Sequence, residues 1–129
     1  MGNSFLDKPI TTKKQTWDEG NHLKYAVCEM QGWRKNMEDA YIAYNSLPDH
    51  DHLALYGVFD GHGGGEVSKY VAAHFLEVFL KRKALQEGNY GQALTETFIQ
   101  VELMMKFKPG QEELLKYKEE ELKRKVEAS

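Results

Sequence analysis

The feature that most constrains the fold is a change of hydrophobic period at the glycine-rich segment 60–65. Before it, residues 23–30 alternate between apolar and polar positions, which is the spacing of a β-strand. Residues 40–47 form a second β-leaning run, and a Pro-Asp-His-Asp turn at 48–51 separates them from residues 53–59. The last run is apolar on both faces, so it is predicted to be a central, buried strand.

After the glycines, apolar residues recur at helical spacing. Residues 67–80 and 94–105 carry the apolar stripes of two amphipathic helices, and Pro109-Gly110 is predicted to stop the second. Three strands joined by short connections favour antiparallel pairing. The two helices are long enough to pack antiparallel against one face of that sheet, so the predicted class is α+β.

The 129 residues suffice for one small domain. Residues 1–20 are polar and are predicted to form a flexible arm that ends in a first edge strand. Residues 21–117 are the predicted domain, and residues 118–129 a charged helix or tail. Between 112 and 127 the chain has six acidic and five basic residues, which favours a solvated helix over a coiled-coil seam.

Composition and the chain start exclude several function classes. Seventeen Lys plus Arg against 20 Asp plus Glu give a net charge of −3, which argues against nucleic acid as a partner. The single cysteine, Cys28, forms no intramolecular disulfide, so we expect a reducing location in the cytoplasm or nucleus. The longest apolar stretch, residues 71–80, is too short to span a bilayer. Asp7 and Lys8 interrupt the start before a secretory signal develops.

Chemically active residues cluster where the buried strand ends. Asp60, Gly61 and His62 follow that strand directly, and Glu38 and Asp39 begin the strand before it. If these two strands form a hairpin, the three carboxylates meet at one sheet edge. Three negatively charged side chains at such short distances need a cation between them. Oxygen ligands indicate Mg²⁺ or Mn²⁺ rather than zinc.

Arg34 lies four residues before Glu38, and a guanidinium beside a carboxylate–metal cluster is a natural fork for a phosphate. Taken singly, each residue has a commoner interpretation. The paired carboxylates are typical of a solvated turn, and Asp-Gly is typical of an ordinary turn. The arginine is typical of a surface cation, and the histidine is typical of a hydrogen-bonding loop residue. The combination and the hairpin spacing carry the prediction.

Four other motif interpretations fail on the residues present. His-Gly-Gly-Gly at 62–65 is typical of an esterase oxyanion loop, but the chain has no Gly-x-Ser-x-Gly elbow. Glu66 replaces the third glycine of a dinucleotide-binding fingerprint, and no Gly-x-x-x-x-Gly-Lys loop occurs. A calcium loop starting at Asp49 would place Leu53 and Val58 at ligand positions.

Two segments resemble the type 2C metal-dependent protein serine/threonine phosphatases, the PPM family: residues 30–40, MQGWRKNMEDA, and residues 56–64, YGVFDGHGG. The start of the chain, residues 1–9, also resembles some members. The resemblance covers residues 1–117 and implies the N-terminal part of a four-layer αββα sandwich, in which two packed antiparallel sheets lie between helix pairs. It implies metal-dependent hydrolysis of phosphoserine and phosphothreonine in phosphoprotein substrates.

The resemblance also implies a ligand set for two Mn²⁺ or Mg²⁺ ions. Asp60 would bridge both ions, and the Gly61 carbonyl would ligate one. Glu38 would bind a metal directly or through water, with Asp39 supporting the site. By the same resemblance, two further residues handle the substrate: Arg34 would hold the phosphate and His62 would protonate the leaving alkoxide.

The chain departs from the family pattern downstream of Asp60, where it contains no aspartate at all. The family's later metal-binding aspartates, in Gly-Asp-Ser-Arg-like, Asp-Gly and Asp-Asn contexts, are absent. We therefore expect an N-terminal portion that is inactive or very weak in isolation, with exposed sheet and helix faces that promote association. The alternative function is a non-catalytic module that binds partners or regulates a full-length relative.

The first residues also resemble an acylation signal. Gly2 is placed for N-myristoylation, although Leu6 occupies the usual Ser or Thr position. One acyl chain would give weak, reversible membrane attachment.

Overall fold

The computed structural model describes residues 5–129, which form four strands and four helices. Gly2 lies outside these residues, so its acylation stays a prediction. The strands are β1 (Phe5–Gly20), β2 (Leu23–Arg34), β3 (Ala40–Tyr44) and β4 (Leu55–Phe59). The helices are α1 (Glu66–Leu80), α2 (Lys83–Gln86), α3 (Tyr90–Lys106) and α4 (Lys108–Ala128). The α+β class and the predicted strands and helices are confirmed, apart from small shifts at their ends.

The first hairpin corrects the prediction of a flexible arm. Residues 5–20 are the long strand β1, which pairs antiparallel with β2. The connecting residues Asn21 and His22 both have positive φ, the geometry of a tight two-residue hairpin turn. Side chains of β1 are largely exposed on both faces, so its sequence shows no alternation that could reveal it.

The second hairpin joins β3 to β4 and carries the core on one face. Ala40 pairs with Phe59, as the hairpin hypothesis requires. Ile42 is buried, and Phe59 contacts Phe75 of α1 with ring centroids 5.6 Å apart. This face, packed on α1, is the main hydrophobic core.

The opposite face of β4 is less buried than predicted. Val58 is 77% exposed and Tyr56 45%, so β4 is not a central strand covered on both sides. The β1–β2 ribbon approaches this face. Tyr41 Oη donates a hydrogen bond to Thr16 Oγ1 at 3.3 Å, and the ring centroids of Tyr56 and Tyr25 are 5.7 Å apart. The three layers therefore follow one another in the order helices, β3–β4 sheet and β1–β2 ribbon. Association through the exposed apolar residues stays a prediction.

The helices form a layer of their own on α1. Phe75 contacts Phe98 of α3, and Tyr70 packs with Val101, so α1 and α3 run antiparallel. The helix α3 ends at Lys106, shortly before Pro109. Pro109 itself lies in the first turn of the next helix, α4, and not in a turn between helices. None of the described helices is long and apolar enough to cross a membrane.

The helix α4 is also more than a solvated helix. It runs without a break through the predicted boundary at residue 118. Leu114 and Tyr117 on its inner face pack against Tyr70 and Val78 of α1. Most of its other side chains are exposed, as the charge pattern predicts.

Candidate functional site

A small cavity of about 130 Å³ lies where β2 ends, β3 begins and β4 ends. The pairing of Ala40 with Phe59 sets the residues just before β3 beside the residues just after β4. Five of the six predicted site residues line the cavity: Arg34, Glu38, Asp39, Asp60 and Gly61. The hairpin therefore places three acidic residues and Arg34 around one cavity, as the spacing predicted for the acidic residues.

The sixth predicted residue, His62, does not line this cavity. It is exposed in the loop between β4 and α1, two positions after Asp60. Within residues 5–129 its imidazole has no hydrogen-bond partner, so it is free to meet a group that arrives from solvent.

Glu38 has one carboxylate oxygen without a partner. Its Oε1 accepts a hydrogen bond from Asn36 Nδ2 at 3.4 Å. Its Oε2 is buried and has no hydrogen-bond partner. A buried carboxylate oxygen costs free energy unless a donor or a cation satisfies it, so this oxygen is a candidate ligand for a cation.

The donors fit a hard divalent cation in chemical type but do not close a ligand shell. Asp39, Asp60 and the Gly61 carbonyl add oxygen donors around the same cavity as the orphaned oxygen of Glu38. Within residues 5–129, however, no group of three or more His, Cys, Asp or Glu side chains is arranged to hold a metal. Further ligands would have to come from water, substrate or other protein groups.

A close backbone contact holds the loop after β4 against the loop before β3. A Cβ on Gly61 would clash with the Glu38 carbonyl oxygen and lie 2.8 Å from Ser68 Oγ. Ser68, buried in the first turn of α1, donates to the Glu38 carbonyl, and the Gly65 carbonyl is a second acceptor at 3.1 Å. Ser68 therefore ties α1 to both loops of the site. Sequence reasoning missed it, since a serine in a helix carries no signal of such a contact.

We expect Ser68→Ala to weaken Mn²⁺ binding about tenfold, because the Glu38 carbonyl loses its donor and the loop loosens. Mn²⁺ titration followed by electron paramagnetic resonance measures the affinity. Thr97→Val is the matched control, since Thr97 is also a buried helical hydroxyl and donates only to Ala93 O at 2.7 Å. Equal Mn²⁺ affinity in the two variants would contradict the role of Ser68.

The C-terminal half of α4 borders the site on its other side. A cleft of about 320 Å³ lies between the glycine loop and α4. Gly63 and Gly64 line it from the loop, and Lys118 and Lys125 line it from the helix. Glu38 also reaches this cleft, so α4 is a neighbour of the site.

A partly buried polar pair fastens α4 to α1. His74 Nε2 lies 2.7 Å from Glu113 Oε2. The imidazole packs tilted against the buried ring of Tyr70, with the ring centroids 4.3 Å apart. Burial raises the pKa of Tyr117, and the charge of Glu113 raises this pKa further. Burial and then Glu113 raise the pKa of Tyr70 in the same way. The negative charge of Glu113 therefore lies close to His74, Tyr70 and Tyr117.

We expect Glu113→Gln to destabilise the fold by about 1 kcal/mol, because the neutral amide oxygen of glutamine accepts a weaker hydrogen bond from His74 than the charged carboxylate does. It should also lower the pKa of Tyr117 and Tyr70, since a negative charge near each phenol is lost. Thermal unfolding and an ultraviolet titration of tyrosine measure both effects. Glu112→Gln is the control, because Glu112 pairs with the exposed Lys108. Unchanged tyrosine titration in Glu113→Gln would contradict the arrangement.

Comparison with known proteins identifies relatives of most of the chain. The family model described as Protein phosphatase 2C matches residues 23–121. "Probable protein phosphatase 2C 5" of Paramecium tetraurelia is 43% identical over 113 residues, which cover 87% of this chain and 37% of that protein. "Protein phosphatase 2C 1" of the same organism is 41% identical over 114 residues, or 88% of this chain and 37% of that protein.

A more distant relative is "Protein phosphatase 2C homolog 2" of Saccharomyces cerevisiae. It is 36% identical over 103 residues, which cover 78% of this chain and 22% of that protein. The chain thus spans little more than a third of the length of the Paramecium relatives. The matched region includes β2, the second hairpin and all residues that line the cavity.

Proposed function

The chain belongs to the protein phosphatase 2C family, and on that premise we propose that it carries the phosphate-binding and metal-binding part of a phosphoserine and phosphothreonine phosphatase. One observation supports this most strongly. Arg34, Glu38, Asp39 and Asp60 line the same cavity, and the buried Oε2 of Glu38 has no hydrogen-bond partner. Such a cavity suits a phosphate held between a guanidinium and a cation.

The metal part of the proposal rests on oxygen donors. Glu38, Asp39, Asp60 and the Gly61 carbonyl would hold Mn²⁺ or Mg²⁺, two ions in the complete enzyme. When bound, such ions activate a water molecule and offset the charge of the phosphoryl group. The chain's own contribution is to fix these donors on the ends of a hairpin, so that little reorganisation is needed.

The remaining two residues act on the substrate. Arg34 presents a planar fork of donors to the phosphate oxygens and orients the phosphorus for in-line attack. His62, exposed two residues after Asp60, would donate its proton to the leaving serine or threonine alkoxide. An imidazole suits this role near neutral pH because its ordinary pKa lies close to that range.

We expect His62→Gln to slow hydrolysis of alkyl phosphates about 100-fold and aryl phosphates far less, because phenolate leaves without needing a proton. The measurement compares kcat for a phosphoserine peptide and for p-nitrophenyl phosphate. His52→Gln is the control, since His52 is exposed in the turn between β3 and β4, away from the cavity. Equal slowing of both substrates would count against the acid role.

The test of the function is a chimera in which this chain replaces the matching part of the Paramecium Protein phosphatase 2C 1. We expect the chimera to hydrolyse a phosphoserine peptide with Mn²⁺ or Mg²⁺ and to lose that activity in EDTA. A folded chimera with no metal-dependent turnover would refute the proposal.

The second candidate function is a non-catalytic module that binds partners or regulates a full-length relative. It is favoured by the incomplete ligand shell of residues 5–129. The 129-residue chain by itself separates the two candidates. Robust turnover of the phosphoserine peptide would exclude the second, whereas inactivity beside an active chimera would favour it for the isolated chain.

A further inference from the structure

A groove of about 480 Å³ opens beside the site cavity, between the β1–β2 ribbon and the helices. Met30, Gln31, Met37 and Asp39 line both the groove and the cavity, so the two spaces are adjacent. The groove lies within the size range of ligand sites in proteins. A molecule whose phosphate reached the cavity can therefore place its neighbouring atoms in this groove.

Three cations from three separate elements line the groove. They are Lys14 of β1, Lys69 of α1 and Arg124 of α4. Against them the groove has two acids, Glu29 and Asp39, and Asp39 is shared with the proposed metal site. With a divalent cation in the adjacent cavity, positive charge therefore dominates the groove.

The three cations form no ion pair within residues 5–129. They differ in this from helical lysines that pair at the i,i+4 spacing, as in Lys81–Glu77 and Lys106–Glu102. Glu120 stands four residues before Arg124, yet no ion pair forms between them. Lys14 and Lys69 likewise have no ion pair within the described residues. Their charges are available to a ligand.

We propose that this groove, which we call the basic groove, recognises acidic side chains next to the phosphorylated residue of a protein substrate. The proposal rests on the proposed function, because the phosphate is what anchors the peptide in the neighbouring cavity. Charge-assisted contacts from Lys69 and Arg124 to Asp or Glu side chains would favour acidic phosphopeptides. The helix α4 then contributes to substrate choice, although it lies outside the hairpin that carries the carboxylates.

The test uses three fluorescent peptides and the 129-residue chain with Mn²⁺. The first has phosphoserine flanked by glutamates, the second has phosphoserine flanked by glutamines, and the third has serine flanked by glutamates. Fluorescence anisotropy gives each affinity. We expect the first peptide to bind about tenfold more tightly than the second, the gain of two or three charge-assisted contacts on a surface.

Variants assign that preference to the basic groove. Lys69→Gln and Arg124→Gln should each reduce it about threefold and leave binding of the glutamine-flanked phosphopeptide unchanged. Lys123→Gln is the control, since Lys123 is the exposed neighbour of Arg124 and does not line the groove. Arg124→Glu should abolish the preference for the glutamate-flanked over the glutamine-flanked phosphopeptide, and circular dichroism confirms that each variant folds.

The three peptides separate this inference from the proposed function. Equal affinity for the two phosphopeptides, or a preference that survives Lys69→Gln together with Arg124→Gln, would overturn the basic groove and leave the phosphatase proposal standing. Equal affinity for the first and third peptides would contradict phosphate binding in the cavity, and with it the proposed function. Failure of all three peptides to bind would overturn both.

Discussion

Asp60→Asn should abolish metal-dependent hydrolysis in the chimera, with a loss of at least about 100-fold in kcat. Asparagine has nearly the same size and keeps one oxygen, so the loop after β4 can hold its course. What disappears is the negative charge that Asp60 would supply to the metal ions. The phosphoserine peptide assay in saturating Mn²⁺ measures the loss.

The unfolding temperature of the 129-residue chain gives a second, independent test of whether Asp60 binds metal. In EDTA, Asp60→Asn should be as stable as the unchanged chain or more stable, because one of the three acidic residues that line the cavity has lost its charge. With Mn²⁺, only the unchanged chain should gain stability, since ligand binding to the native state raises the unfolding temperature.

The matched control is Asp51→Asn, the same chemical change at a fully exposed side chain in the turn between β3 and β4. It should leave turnover and the response to Mn²⁺ unchanged. Near-normal turnover in Asp60→Asn would rule out Asp60 as the bridging ligand.

Gly61→Ala should lower both stability and metal affinity. An added Cβ meets the carbonyl oxygen of Glu38, which is backbone and cannot rotate away, and lies 2.8 Å from Ser68 Oγ. The two loops must therefore separate, at a cost of about 1–3 kcal/mol. Separation moves Asp60 from Glu38 and breaks the contact with Ser68, so Mn²⁺ affinity should fall by at least about tenfold.

Gly91→Ala provides the contrast within the same chain. Gly91 lies in α3, and a Cβ there has no neighbour within 4 Å. Alanine should raise stability by about 0.5–1 kcal/mol because it limits the freedom of the unfolded chain. Thermal unfolding and Mn²⁺ titration compare the variants. If Gly61→Ala kept the unfolding temperature and the Mn²⁺ affinity, the close contact would have no structural role.

The hairpin that carries the candidate site was predictable from local pattern. The alternation in β2 and the turn after β3 place the strands, and a hairpin between β3 and β4 leaves only one way for Asp39 and Asp60 to meet. The carboxylates and Arg34 therefore needed no long-range information. Their roles at a metal and a phosphate remain predictions that the experiments above decide.

Three elements were not predictable because their signals depend on distant neighbours. The strand β1 is exposed on both faces and shows no alternation. The exposure of Val58 in β4 depends on how much of that face the β1–β2 ribbon covers. The inner face of α4 has only a few apolar residues, and the pair between His74 and Glu113 joins positions 39 residues apart.

The sequence by itself determined the α+β class, the hairpin and the residues that meet at its end, because strand period, turn residues and pairing register are local properties. The tertiary structure alone decided what surrounds that end. Ser68 reaches the Glu38 carbonyl only because α1 packs on the sheet, and Arg124 joins Lys14 and Lys69 only because α4 folds back beside α1. Such contacts follow from the packing of whole elements, which no local pattern encodes.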